Sequence, residues 1–342
     1  MGTSSRTCES GGLRRIPEHR AILAQAHVTH PFVRTNREGT TTMKTLKFGV
    51  EIELNGEKET MARAIHSVVG GRLGWNSVTD RRGRVWDVVS DASLTRGLAN
   101  GEVVTPILGY DDLDELLRVV AALRAAGCAP DAKCGVHVHV GVEHLEIRAI
   151  TNLMKLVFKQ ERLIEHALGI QQSRLESYCR PMREDFMRRL ETRTPRTKED
   201  LRRVWYEGTP RDVERKYHES RYTGVNLHAF FQKGTTEFRY FEGTNDPDKI
   251  KAYVQLCLSL VATARDAKGA VSSRRPFDPA TAKYDFRTFL LRLGFVGPEY
   301  KTARKHLLAR LGGSAAWKGA RRDKGRRSAN AGRDDRDGRA AA

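Results

Sequence analysis

Short alternating runs set the hydrophobic pattern of this chain. In the stretch Leu46 to Leu54, Val50, Ile52 and Leu54 alternate with Gly49, Glu51 and Glu53, the period of two that sends successive side chains to opposite faces of a strand. Similar runs rich in β-branched residues predict strands over Gly101 to Leu108, Gly135 to Val142, Thr223 to Phe231 and Thr235 to Phe241, with a weaker one over Arg84 to Val89. The connection Gln232-Lys233-Gly234-Thr235 is short and contains glycine, so the last two strands are expected to form an antiparallel hairpin. Helical spacing fills the gaps. Asp111 to Ala126 carries Leu113, Leu116, Leu117, Val120 and Leu123 and stops at Gly127, a C-terminal cap. Glu146 to Leu168 is similar and longer. Asp246-Pro247 reads as an N-cap with proline in the first turn of a helix through Val254, Leu256 and Leu260. Residues 284–311 close the pattern as a helical pair. Together these elements predict an α+β fold with a mainly antiparallel sheet.

The pattern also sets boundaries. Residues 1–43 hold no sustained period of 2 or 3.6 and are expected to form a disordered extension. Met43 begins Met-Lys-Thr-Leu-Lys-Phe-Gly, which runs straight into a strand, so translation from Met43 rather than Met1 is one expectation. Residues 312–342 are Gly, Ala, Arg and Asp rich and read as a disordered basic tail. The span 44–311 is then one folded domain without internal repeat. Within it, residues 171–220 are irregular and Arg-rich, punctuated by Pro181, Pro195 and Pro210, and so long an interruption between strands suits a lid or substrate loop.

Composition narrows the function class. With 39% hydrophobic residues in 342, the chain can bury a sizeable core. Its apolar runs, such as Val254 to Ala264, fall well short of the roughly 20 residues a membrane helix needs, and the N-terminus has no signal-peptide pattern; no membrane association and a cytoplasmic location are expected. Five cysteines without a C-x-x-C pair argue against a disulfide framework or a zinc knuckle. The net charge of +18 raises nucleic-acid binding. Its distribution weakens that reading: residues 313–342 carry nine Lys/Arg against four Asp, and residues 180–220 twelve against nine acids.

Candidate chemistry lies on the predicted strands. Glu51 and Glu53 share one face of theirs, and two adjacent carboxylates either face water or hold a hard cation. In Cys134-Gly135-Val136-His137-Val138-His139-Val140 both imidazoles share a face, a geometry suited to a metal or to phosphate oxygens. In Thr236-Glu237-Phe238-Arg239-Tyr240-Phe241, Glu237 and Arg239 share a face against Phe238 and Tyr240; a bland reading is a cross-strand ion pair, a functional one a metal carboxylate beside a phosphate-gripping guanidinium. Glu102 heads another strand. Each signal alone is weak, yet four strands carrying such groups in an alternating apolar frame suggest Mg²⁺ or Mn²⁺ and phosphoryl transfer. No Walker loop or dinucleotide-binding glycine motif is present, and Cys134, among core-like residues, is a poor nucleophile candidate.

These residues resemble the amidoligase family, a branch of the carboxylate-amine ligases with the glutamine synthetase and glutamate-cysteine ligase fold. The resemblance rests on Phe-Gly-Val-Glu-Ile-Glu at 48–53, Ser-Asp-Ala-Ser-Leu at 90–94, Gly-Glu-Val-Val-Thr-Pro-Ile at 101–107, Cys-Gly-Val-His-Val-His-Val at 134–140, Tyr-Thr-Gly-Val-Asn-Leu at 222–227 and Thr-Glu-Phe-Arg-Tyr-Phe-Glu-Gly-Thr at 236–244. It implies a curved sheet forming an open half-barrel with helices outside, ATP and Mg²⁺ or Mn²⁺ inside, and amide or peptide bond formation through an acyl phosphate. Residue by residue it implies Glu51, Glu53, Glu102, His137 and Glu237 as metal ligands, His139 near the ATP phosphates, Arg239 on the γ-phosphate, and Asp91, Ser93, Arg221 and Asn226 lining the nucleotide or substrate pocket; Arg239, Glu237 and Glu51 would be catalytic. Substrates would be small-molecule or peptide carboxylates and amines, and a thiol-peptidase, amidotransferase-like or cyclotransferase protein a functional partner. The residues leave two other classes open: a metal-dependent phosphodiesterase or nuclease, and a non-enzymatic basic nucleic-acid-binding module.

Overall fold

A computed structural model of the protein describes residues 43–90, 100–209, 213–215 and 217–318. Among them, strands β1 (Phe48–Asn55), β2 (Arg72–Leu73), β3 (Ser77–Thr79), β4 (Val85–Val89), β5 (Asn100–Val104), β6 (Gly135–Gly141), β7 (Val225–Asn226) and β8 (Thr235–Glu242) form one open sheet in the order β2-β3-β4-β5-β1-β6-β8-β7. Every pairing is antiparallel. The helices are α1 (Lys58–Val69), α2 (Leu113–Ala125), α3 (Ile147–Leu168), α4 (Gln172–Ser177), α5 (Glu184–Arg193), α6 (Lys198–Tyr206), α7 (His228–Lys233), α8 (Pro247–Asp266), α9 (Ala282–Arg292) and α10 (Lys301–Leu307). The expected mixture of helices with an antiparallel sheet is therefore present. None of the described helices is long and apolar enough to cross a membrane. Residues 1–42 and 319–342, on which the expectations of a disordered extension and tail mostly fall, lie outside the described residues.

The central strand shows how the sequence builds the layers. On β1, Val50, Ile52 and Leu54 are buried to within 1%. Across from them Val103 of β5 and Val136 and Val138 of β6 continue the same apolar face. Helices α3 and α8 pack under that face, burying Leu153, Val157 and Ile164 from one and Val254, Leu258 and Val261 from the other. At about 1.5–3 kcal/mol for each fully buried aliphatic side chain, this layer dominates the stability of the domain. Asp246 caps α8 by accepting from the Asp248 amide at 3.0 Å, with Pro247 at the first helical position as expected. Gly169 ends α3 in the left-handed conformation.

Two expectations change. The stretch Thr223 to Phe231 is not a long strand: only Val225–Asn226 pairs with β8. The Asn226 side chain then accepts from the His228 amide at 2.7 Å, as Asn does at helix starts, and turns the chain into α7. The antiparallel partnership holds, but a helix replaces the tight hairpin. Second, strict alternation on β8 is broken. Val138 opposes Phe238 while Val136 opposes Phe241, so three steps on β8 match two on β6. This bulge puts Phe238 and Phe241 on one face, and Phe241 stacks on Tyr253 of α8 with centroids 4.1 Å apart.

Glu161 of α3 joins the layers from below. It is wholly buried, accepts from the Met182 amide at 2.8 Å and pairs with Arg274 at 3.1 Å. Burial pushes its carboxyl up to about 8. Tyr240, whose hydroxyl reaches Glu161 at 3.4 Å, packs against the backbone of Gly224, where a Cβ would lie 2.0 Å from the ring. Gly224→Ala is therefore expected to cost about 1–3 kcal/mol by overpacking. Urea titration should show a lower midpoint for Gly224→Ala and an unchanged one for Gly269→Ala, where nothing lies within 4 Å; equal midpoints would refute the close contact.

Candidate functional site

The face of the sheet opposite the apolar layer carries the predicted chemistry because the register brings it into one row. Glu53 on β1 stands opposite Glu102 on β5, and Glu51 opposite His137 on β6. His139 in turn opposes Glu237 on β8, and Glu237 opposes Asn226 on β7. Residues directly opposed in an antiparallel pair share a face with Cβ atoms about 5 Å apart. Five strands thus contribute to a single patch.

Distances within it are short. His137 Nδ1 lies 3.3 Å from Glu51 Oε2 and 3.7 Å from Glu237 Oε1, and His139 Nε2 lies 3.2 Å from Glu51 Oε1 and 3.9 Å from Glu237 Oε1. Two sets of donor atoms fall within 4.8 Å of one another: Glu51, Glu102 and His137, and Glu51, His139 and Glu237. Glu51 belongs to both. Glu53 is placed differently from the other expected ligands. One of its oxygens accepts from the Gly135 amide at 2.6 Å and the other lies 3.8 Å from His137 Nε2.

Arg239 is buried beside Glu237 and forms a close ion pair with it through Nη1, while its Nε donates to the Tyr178 carbonyl at 3.1 Å. Its guanidinium also lies over the Tyr222 ring, 5.8 Å from the centroid. Asn226 uses both ends of its amide. Nδ2 donates to Glu237 Oε2 at 2.6 Å and Oδ1 accepts from His228 N, so its place is behind Glu237, fixing the carboxylate. Arg221 lies over the rings of Tyr217 and Tyr222 and reaches the row through the second of these. Asp91 and Ser93 lie outside the described residues. Cys134 is buried and its thiol is pushed up to about 12 by that burial, which keeps it protonated.

Two participants escaped the sequence pattern. Arg174 of α4, 4% exposed, donates to the carbonyls of Lys133, Cys134 and Phe241, and its Nη2 would stand 2.8 Å from a Cβ at Gly135. Only glycine there leaves room for the guanidinium beside Glu53. Lys233, at the end of α7, brings its ammonium 4.0 Å from Glu51 Oε1. Neither shows an alternating signal; Arg174 hides in an Arg-rich stretch, and Lys233 at the end of a helix read as a turn.

Charge balance decides what this face can do. Ions taken from water lose several kcal/mol of solvation each, which opposite charges must offset. Burial raises the Glu237 carboxyl, but Arg239 and then His139 and His137 outweigh it and hold it at about 2. Burial likewise raises Glu51, and the two imidazoles hold it well below the usual carboxylate range. For His139 burial favours the neutral ring, yet Glu51 and Glu237 raise it above the usual imidazole value. Carboxylates that stay ionised and imidazoles that face them make a donor set for a hard divalent cation, with a fixed guanidinium alongside for an anion.

The pH dependence of the metal-free protein follows. A carboxyl lowered to about 2 contributes stability that is complete above its ordinary value of 4.5 and is lost as pH falls toward 2. A histidine raised above 6.5 contributes below that value and loses its contribution as pH rises through the raised one. In EDTA the melting temperature should therefore fall on both sides of a plateau between these limits. Glu237→Gln should flatten the acid limb and His139→Gln the alkaline limb; limbs as steep as those of the parent would contradict the assignment.

Comparison with known proteins adds the following. A family model described as "putative amidoligase enzyme" matches residues 44–261. No curated protein matches the chain. Among solved structures the chain is similar to a bifunctional glutathione synthetase from Pasteurella multocida, with 12% identity and a TM-score of 0.41 over 80% of this chain and 49% of that one. It spans about half the length of that protein.

Proposed function

The chain belongs to the amidoligase family, and from that premise we propose that it is an ATP- and Mg²⁺-dependent carboxylate-amine ligase that makes an amide or peptide bond through an acyl phosphate. The observation that carries the reading is the row of opposed Glu, His, Glu and Asn side chains across the sheet, with Arg239 buried beside it. We assign the reaction to residues 44–311. The finer fold expectation, a glutamine synthetase-like half-barrel around the nucleotide, belongs to the same proposal.

In this reading Glu51 would hold Mg²⁺ or Mn²⁺ with Glu102 and His137 in one cluster and with Glu237 in the other, and the oxygen and nitrogen donors of both clusters fit such a cation. The metal supplies positive charge that screens the phosphates from the approaching carboxylate. His139, set between Glu51 and Glu237, serves either as a further ligand or as a contact to phosphate. Glu53, tied to the Gly135 amide, orients His137. Arg239 offers the N–H donors not engaged by Glu237 and Tyr178 to the γ-phosphoryl oxygens.

The chemistry proceeds in two balanced steps. A substrate carboxylate oxygen attacks the γ-phosphorus as the bond to the β–γ bridging oxygen breaks, giving acyl phosphate and ADP. The amine nitrogen then attacks the acyl carbon, phosphate leaves, and the nitrogen loses a proton. Arg239 stabilises charge on the transferring group, and the insertion at 171–220 keeps water from the acyl phosphate. Asp91, Ser93, Arg221 and Asn226 complete the proposed pocket, with Asn226 acting through Glu237.

Nucleotide binding is the direct test. ATP or a non-hydrolysable analogue at about 100-fold its Kd should stabilise the protein by about 2.7 kcal/mol, seen as a rise of several degrees in melting temperature that requires Mg²⁺. The Glu51→Ala/Glu237→Ala double variant should lose the response. Absence of any Mg²⁺-dependent shift, with tight DNA or RNA binding in its place, would sink the ligase reading in favour of a phosphodiesterase. Arg239→Lys keeps the charge but loses the fork of donors; it should weaken ATP binding about ten-fold and leave ADP binding unchanged, and equal losses for both would remove Arg239 from the γ-phosphate.

A further inference from the structure

The insertion builds a cavity that the proposed reaction has not used. Arg180, Pro181, Met182, Arg183 and Phe186 with Trp205, Thr209, Glu219, Ser220 and Thr223 enclose about 140 Å³. Its floor is apolar. Met182, Phe186 and Trp205 are buried, and Phe186 meets Trp205 edge to face at 5.0 Å between centroids. An engineered apolar cavity of about 150 Å³ takes up benzene, so this floor admits a side chain the size of phenylalanine or leucine.

The rim is charged and held in place. Arg180 donates through Nη2 to the Glu219 carbonyl at 2.8 Å and through Nε to the Tyr222 carbonyl at 3.4 Å. Arg183 donates to the Glu207 carbonyl at 3.2 Å, and its Nε lies 3.6 Å from the Asp185 carboxylate, which leaves its remaining N–H groups for a ligand. Both arginines remain exposed at the mouth, where a guanidinium can take a carboxylate through two hydrogen bonds. The Glu219 side chain shares that rim and disfavours a dianion such as a phosphate ester.

The cavity also adjoins the candidate site through the backbone. Arg180 forms a parallel bridge with Thr223, and the next residue, Gly224, accepts the Arg239 amide at 2.9 Å. Two residues before Arg180, the Tyr178 carbonyl holds the Arg239 guanidinium. The walls of the cavity thus continue the edge strand β7, which pairs with β8, the strand that carries the proposed phosphate-binding arginine.

We propose that this cavity binds the apolar side chain and α-carboxylate of an amino-acid or peptide substrate, with Arg180 and Arg183 taking the carboxylate and Met182, Phe186 and Trp205 the side chain. Its role as a substrate subsite rests on the ligase reading; the binding itself does not. The test uses N-acetyl-L-phenylalanine and its amide as probes of the full chain in ligand-observed NMR titrations without nucleotide. The acid should bind at least about ten-fold more tightly than the amide. Arg183→Ala, at an exposed position, should weaken the acid about ten-fold, and Thr209→Trp should block the cavity, both with the Mg²⁺-ATP response kept. Equal binding of acid and amide, no binding of either, or acid binding indifferent to Arg183→Ala would overturn the proposal. Probe binding that persists in a protein showing no Mg²⁺-ATP response would instead count against the ligase reading alone.

Discussion

The position of β1 between β5 and β6 is the constraint on which the rest of the site depends. Because side chains alternate with a period of two, a slip of one residue would send Glu51 and Glu53 into the apolar layer and Val50, Ile52 and Leu54 out of it. Burial of those three is thus what fixes the acidic row. The same register places Glu53 directly opposite Glu102, a like-charged pair that a sheet tolerates only with compensation nearby. The compensation comes from the next strands, where His137, His139 and Arg239 face the acids, and from the Gly135 amide on Glu53.

Much of this was readable in the sequence, for a physical reason. Strands that bury one face write their chemistry in alternation, so Glu51, His137, His139 and Glu237 could be assigned to one surface of their strands without coordinates. What alternation cannot state is which residue stands across from which. It also fails where the period breaks: the bulge on β8 moves Phe241 to the face of Phe238, and the Asn226 side chain diverts a run that looked extended into α7. Helix α1, which buries Met61, Ile65 and Val69 at helical spacing, is not among the elements expected from the sequence. The short β2 and β3 are too brief to show a period at all.

The insertion illustrates a different limit. By composition it is an Arg-rich interruption, and composition alone favours a loose cover. Its first part is instead fastened to the core at three levels: Arg174 against the carbonyls of Lys133, Cys134 and Phe241, the Tyr178 carbonyl on Arg239, and the Met182 amide on Glu161. Leaving any of those buried groups unpaired would cost about 1–3 kcal/mol, so this stretch moves only if the sheet edge does. The part beyond Met182 is anchored as well, with Phe186, Met187, Leu190, Leu201, Val204 and Trp205 buried and the Tyr206 hydroxyl bonded to His228, so it forms a packed wall, the wall that lines the cavity at Arg183, Phe186 and Trp205.

Protons and metal compete for the same face. Burial favours a neutral His139, and Lys233 near Glu51 works the same way, yet the Glu51 and Glu237 carboxylates draw its ring toward the charged form. A divalent cation held by Glu51 and Glu237 removes the attraction that keeps that proton on His139, and an imidazole that ligates must be neutral. In the proposed enzyme, loading the site and deprotonating His139 are then one coupled event. His139 would then be neutral, as a ligand or a hydrogen-bonding group, and Arg239 would remain the permanent positive charge of the row.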